Sequence, residues 1–271
     1  MRSPCAYKKA RIWGLFALLM LFGVSWTPAL SQTQGFPIPP VTGSLGAKDA
    51  NALAEVQSFV QVTGAVGWQD LVGTGTLSYQ DGEVHAASIY LQGSARSRLD
   101  IDMGSGSRSV RLNASSGAFE DESGNLSSLL PATSRAGIVA FPRLWIDASS
   151  SPLVSLSDQG LYTGTGQSLH RITVEYQLNP GTYSAGDPTV ATDLYFDPST
   201  HLLLFSVDSV QFVNAQGQSF LQTMQYGAYQ SFNGVSIPTS LTQTLNDQPQ
   251  WAMQVTQLTL NSHPTPDTFS F

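Results

Sequence analysis

The chain has 271 residues, with 19 Asp and Glu against 12 Lys and Arg, a formal net charge of −7, and one cysteine, Cys5. The acidic balance argues against nucleic acid and anionic membrane surfaces as partners. A lone cysteine leaves no internal disulfide and no thiolate zinc site.

Residues 1–31 have the three parts of an export signal. Arg2, Lys8, Lys9 and Arg11 form a basic start, and residues 12–26 are an uncharged apolar run. That run is shorter than the ~20 residues of a comfortable membrane span. Ala29, Leu30 and Ser31 supply a small-x-small pattern, so cleavage is expected between Ser31 and Gln32. Cys5 lies ahead of the apolar run, and Gln32 stands where a lipid-anchored protein would need its cysteine. The expected product is therefore periplasmic or secreted, with no lipid anchor. It has no cysteine, and its eight Lys and Arg against 19 Asp and Glu give a net charge of −11. Without disulfides or thiol chemistry, such a domain must rest on its hydrophobic core, which a single all-β domain of this length can build.

Residues 32–46, with the Pro- and Gly-rich run GFPIPPVTGSLG, read as a tether ahead of one domain over 47–271. Residues 48–62 have helical spacing: Ala50, Leu53, Ala54, Val56, Phe59 and Val60 form an apolar stripe, Asp49 is placed to cap it, and Gly64 and Gly67 end it. Strand patterns follow at 70–79 and 84–91 around a Gln80-Asp81-Gly82 turn. In 95–103, Arg96, Arg98, Asp100 and Asp102 alternate with Leu99, Ile101 and Met103. Short strands follow at 108–113 and around Phe119. Residues 128–145 break the β rhythm and read as a helical insert. Strands resume at 159–165, 169–178, 191–196 and 202–212, and a final meander spans 220–230, 235–245 and 251–260. About ten or eleven strands with two helical pieces predict one curved antiparallel sheet.

The closing segments, YGAYQSFNGVSIPTSLTQTL (226–245), WAMQVTQLTLN (251–261) and PDTFSF (266–271), resemble those of the outer-membrane lipoprotein carrier superfamily, which includes LolA, LolB and RseB. DLYFDPSTHLLLFSV (193–207) is similar to that group's hairpin built on an Asp-Pro turn. The resemblance implies an unclosed half-barrel with an N-terminal helix and a helical lid. It also implies a concave apolar face that binds acyl chains or another lipid without catalysis. The bound partner would be a lipid or an acylated protein, with an envelope receptor as a second partner, and the protein would act as a monomer without a cofactor. In the carriers an early-sheet arginine holds the lid, a part that falls here to Arg96 or Arg98. Alternation places Leu99, Ile101, Met103, Ile172, Val174, Leu203 and Phe205 in the cavity, with Ile138 and Phe141 on the lid. A slip of one residue in any strand would invert that assignment.

Catalytic and metal motifs are absent from the sequence. His85, His170, His201 and His263 lie outside any serine-hydrolase or metal pattern. His170 and Glu175 are an odd number of residues apart in one strand and so face opposite ways. Glu120-Asp121-Glu122 lacks the spaced oxygen ligands of a calcium loop. Two other readings stay open: an envelope scaffold or sensor that recognises a protein or cell-wall partner through its surface, and an exported hydrolase.

Overall fold

The computed structural model describes residues 35–43, 45–93, 96–113, 116–124, 126–129, 150–177, 189–211 and 219–271. Its first element is helix α1 (Ala50–Thr63). Asp49 caps it, with Oδ1 accepting the backbone N–H groups of Asn51 and Ala52 at 2.8 and 3.1 Å. Gly64 ends it in the left-handed region, at φ 64°, a conformation that glycine adopts without penalty. The buried face is Ala52, Glu55, Val56, Phe59 and Thr63. Ala50 and Ala54, expected in the apolar stripe, are exposed.

Two antiparallel meanders follow. The first comprises β1 (Asp70–Tyr79), β2 (Val84–Gln92), β3 (Arg96–Asp102), β4 (Ser107–Asn113), β5 (Ser116–Glu120) and β6 (Leu126–Leu129). The second comprises β7 (Val154–Tyr162), β8 (Leu169–Gln177), β9 (Thr189–Phe196), β10 (Leu203–Gln211), β11 (Ser219–Phe232), β12 (Val235–Leu245) and β13 (Gln248–Leu260). They form one 13-stranded sheet in the order β6-β5-β4-β3-β2-β1-β13-β12-β11-β10-β9-β8-β7. The first strand therefore pairs with the last, and β6 and β7, consecutive in sequence, are the two edges. The result is an unclosed antiparallel half-barrel. Its strands outnumber the ten or eleven expected. One reason is β6, whose Ser128 and Leu129 were expected to open the helical insert. The rest of that insert lies outside the described residues.

Local chemistry sets the register. Asn233 and Gly234 both have positive φ, at 50° and 82°, the signature of the tight turn whose twist matches a hairpin. They join β11 to β12 with Phe232 opposite Val235. At the seam of the two meanders a bulge falls between Thr74 and Gly75. A Cβ on Gly75 would lie 2.0 Å from the Gln254 carbonyl oxygen, so only glycine lets the last strand approach the first this closely. Asn261, just past β13, accepts the Gln69 N–H at 2.9 Å and donates to the Gly67 carbonyl at 3.2 Å, fixing the end of the last strand beside the start of the first.

One core fills the concave face. Leu71, Leu77, Ile89, Leu99 and Ile101 of the first meander meet Leu156, Ile172, Leu194, Met224, Leu241 and Met253 of the second. Ala52, Val56 and Phe59 of α1 pack among them, and Phe59 is fully buried against Phe196. On the outer face, Leu169, Tyr195 and Val207 form a second, smaller cluster.

Candidate functional site

Alternation along β3 and β8 turns Leu99, Ile101, Ile172 and Val174 to the concave face, and Leu203 joins them from the start of β10. Met103 packs against the same cluster. Phe205 does not. A bulge lies between Leu203 and Phe205, which pair with the adjacent residues Phe196 and Tyr195. One extra residue reverses the facing of the strand beyond it, and Phe205 packs in the outer cluster instead. Ile138 and Phe141 lie outside the described residues.

Helix α1 is held over this face by an ionic chain as well as by apolar packing. Glu55, buried on the helix, meets His170 Nδ1 of β8 at 2.9 Å and His201 Nδ1 of the β9–β10 turn at 2.9 Å. The other ring nitrogen of His170 lies 2.9 Å from Asp158 of β7. Carboxylates at both nitrogens require both to carry hydrogen, so His170 is an imidazolium here. Burial opposes that charge, but the bonds to Glu55 and Asp158 outweigh it and raise the pKa above its ordinary value. Asp158 shifts down: burial works against its charge, and the Gly160 N–H and His170 more than offset this. An imidazolium with both nitrogens bonded to carboxylates has no free lone pair to act as a general base or a metal ligand, so the chain acts as a latch. His170 and Glu175 do face opposite ways, since Glu175 accepts from Thr42 Oγ1 at 2.6 Å.

The outer arginines hold the C-terminal tail. Arg98 bonds Asp100 at 2.7 Å and the Thr268 carbonyl at 3.0 Å. Arg111 bonds Glu120 and reaches the Ser270 carbonyl at 2.8 Å. Between these two anchors Phe269 is fully buried. Arg96 bonds Gln92 at 2.7 Å and Asn113 at 3.2 Å. Further round the outer face, Phe36 lies 4.5 Å from Tyr195, 5.1 Å from Phe205 and 5.8 Å from Tyr162 between ring centroids.

Polar groups reach the concave face at the end where β1 finishes and β2 begins. On the second meander, Asp208 accepts from Thr192 and lies directly opposite Gln222. Burial pushes its carboxyl up to about 7. On the first meander, Arg108 pairs with Ile101 across β3–β4 and so shares the concave side with it. Its guanidinium lies over the Tyr79 ring at 6.0 Å.

The sequence reading missed the latch and the placement of Arg108. The one available signal for the latch was Glu55, an acid inside the apolar stripe of α1. Among the described residues, no group of three or more His, Cys, Asp or Glu side chains is arranged to hold a metal ion. Nor is any helix there long and apolar enough to cross a membrane.

No protein-family model matches the chain, and no curated protein does. Solved structures do. An outer membrane lipoprotein-sorting protein domain from Vibrio parahaemolyticus superposes with a TM-score of 0.53 at 10% identity, covering 81% of this chain and 96% of that one. A LolA superfamily protein from Nitrosomonas europaea gives 0.51 at 8% identity, with 81% and 97% covered. A DUF1329 family protein from Desulfovibrio piger gives 0.50 at 9%, with 81% and 97% covered. At such identities the likeness is one of fold. The chain has the unclosed half-barrel fold of the LolA superfamily.

Proposed function

We propose that the chain is an exported, non-enzymatic binding protein whose concave face shelters a lipid or acyl chain, free or attached to a protein. The observation that carries this reading is the composition of that face. From Leu77, Ile89 and Ile101 across to Leu194 and Ile172, its side chains form one continuous apolar cluster, covered in this structure by the chain's own elements, so that a ligand enters where that cover shifts. A curved sheet with one apolar face has to cover it with its own elements or with a ligand. Each methylene sheltered there contributes ~0.8 kcal/mol, so even part of an acyl chain is held firmly. Release then requires a cover that moves. Helix α1 suits that part because an ionic latch, which conditions can weaken, helps to hold it. The fold likeness to a lipoprotein-sorting protein domain supports the same reading.

The test is native mass spectrometry of the protein purified from the cell envelope. The expected spectrum contains a population heavier than the polypeptide by the mass of a lipid, lost on collisional heating. A mass equal to the bare polypeptide from every envelope preparation, together with failure to take up added lipid, would favour recognition through the outer surface.

A further inference from the structure

Most described arginines are bonded at short range. Arg98 and Arg96 each make a bond of 2.7 Å, and Arg171 meets buried Asp193 at 2.6 Å. Arg108 differs. It is the one arginine on the concave face among the described residues, and its side chain is only 16% exposed. Its closest polar contacts are the Tyr79 hydroxyl at 3.4 Å and Glu122 at 3.6 Å, both long for a charge-assisted bond. Its Nε is buried and has no hydrogen-bond partner. A second such group lies beside it. His85 packs its ring against Tyr79 at 5.7 Å, and its Nδ1 is 3.0 Å from the Asp102 carbonyl. Its Nε2 is buried and makes no hydrogen bond, and the exposed Glu83 carboxylate, 3.5 Å away, is its competing intrachain partner.

A partly buried cation with a buried, unbonded Nε is costly, and buried polar groups in folded proteins are nearly always satisfied. Two unsatisfied groups flanking one tyrosine, at the polar end of an apolar trough, match an amphiphile lying with its chain over Ile101 and Leu99 and its head at Arg108. We propose that the ligand carries an oxyanion head, a carboxylate or a phosphate, bound by Arg108 Nε with the Tyr79 hydroxyl and His85 Nε2 as neighbours. This rests on the lipid-binding reading and adds the chemistry of the head. The acidic surface does not forbid it, because charges beyond about 8–10 Å are largely screened at physiological salt. Glu122 is the intrachain carboxylate that competes for Arg108.

The experiment measures dissociation constants of lipid-stripped protein for three ligands of equal chain length: a fatty acid, a lysophosphatidylglycerol and a fatty alcohol. The wild type is expected to bind at least one of the two anionic ligands about tenfold or more tighter than the alcohol. Which of the two is preferred separates a carboxylate from a phosphate head. Arg108→Gln should remove that preference and leave alcohol binding within about twofold. Glu122→Gln should tighten anionic binding, a gain that misfolding cannot mimic. Equal affinity for all three ligands, unchanged in Arg108→Gln, would overturn the head-group site while leaving lipid binding intact. Binding of none of them would instead overturn the reading beneath it.

Discussion

The two faces of the one sheet use polar chemistry in opposite ways. On the outer face, charge closes the structure: Arg98 and Arg111 fasten the C-terminal tail, Arg171 meets Asp193, and Phe36 covers an aromatic cluster. On the concave face, charge falls at the boundaries of an apolar surface. At one end it latches α1 through Glu55, and at the other it leaves Arg108 and His85 with unfilled bonding capacity. The difference teaches that the chain itself satisfies most of the outer face, the buried Tyr195 hydroxyl excepted, while the concave face retains charged groups that a ligand can satisfy. Variants on the concave side should therefore alter binding, and variants on the outer side should alter stability alone.

The largest effect is expected from Phe59→Ala, which removes a fully buried ring from the contact between α1 and the sheet. A loss of about 3–5 kcal/mol by chemical denaturation is expected. Next comes the latch. His170 has a raised pKa in the folded protein, so its stabilisation is complete below the ordinary value of 6.5 and is lost as pH rises through the folded value. Asp208 also has a raised pKa, and its contribution falls earlier, between the ordinary 3.8 and about 7. Melting temperature against pH should therefore decline in two windows. Asp208→Asn should flatten the lower window and His170→Gln the upper one, with His170→Gln costing about 1–3 kcal/mol at neutral pH. A profile unchanged in both variants would contradict the assignments.

The outer face supplies the smaller effects. Phe36→Ala should cost about 1–2 kcal/mol through lost aromatic contacts and leave acyl-probe affinity unchanged. Arg98→Ala should cost less than about 1 kcal/mol, because partly exposed ion pairs contribute little. It should still speed proteolysis of the C-terminal tail, and mass mapping of the early fragments would show this.

Sequence patterns revealed the fold wherever periodicity and turn chemistry acted alone. Asp49 and Gly64 bound α1 as expected, and Asn233-Gly234 sets its hairpin. The alternation of Leu99 and Ile101 with Arg98 and Asp100 places the two sides of β3 correctly. Phe205 escaped because a bulge is a backbone event that leaves the side-chain pattern unmarked. The latch escaped because Glu55 lies 115 residues from His170 and 146 from His201, and only the tertiary fold brings them together. Arg98, a candidate to hold a lid, bonds the C-terminal tail at Thr268, whose approach to β3 the sequence did not signal, and the expected lid lies outside the described residues.

The most direct test of concave-face binding is a titration of a fluorescent fatty acyl probe into lipid-stripped protein, comparing Ile101→Glu with Gln225→Glu. The first places a carboxylate in the apolar face, where it must either stay charged at a high desolvation cost or take up a proton, and either state spoils an acyl site. The second places the same carboxylate on an exposed outer position of β11, opposite Phe205. Saturable binding by the wild type and by Gln225→Glu, abolished in an Ile101→Glu protein that still melts cooperatively, is the predicted result. A wild-type protein that is folded, free of lipid and unable to bind the probe saturably would contradict it.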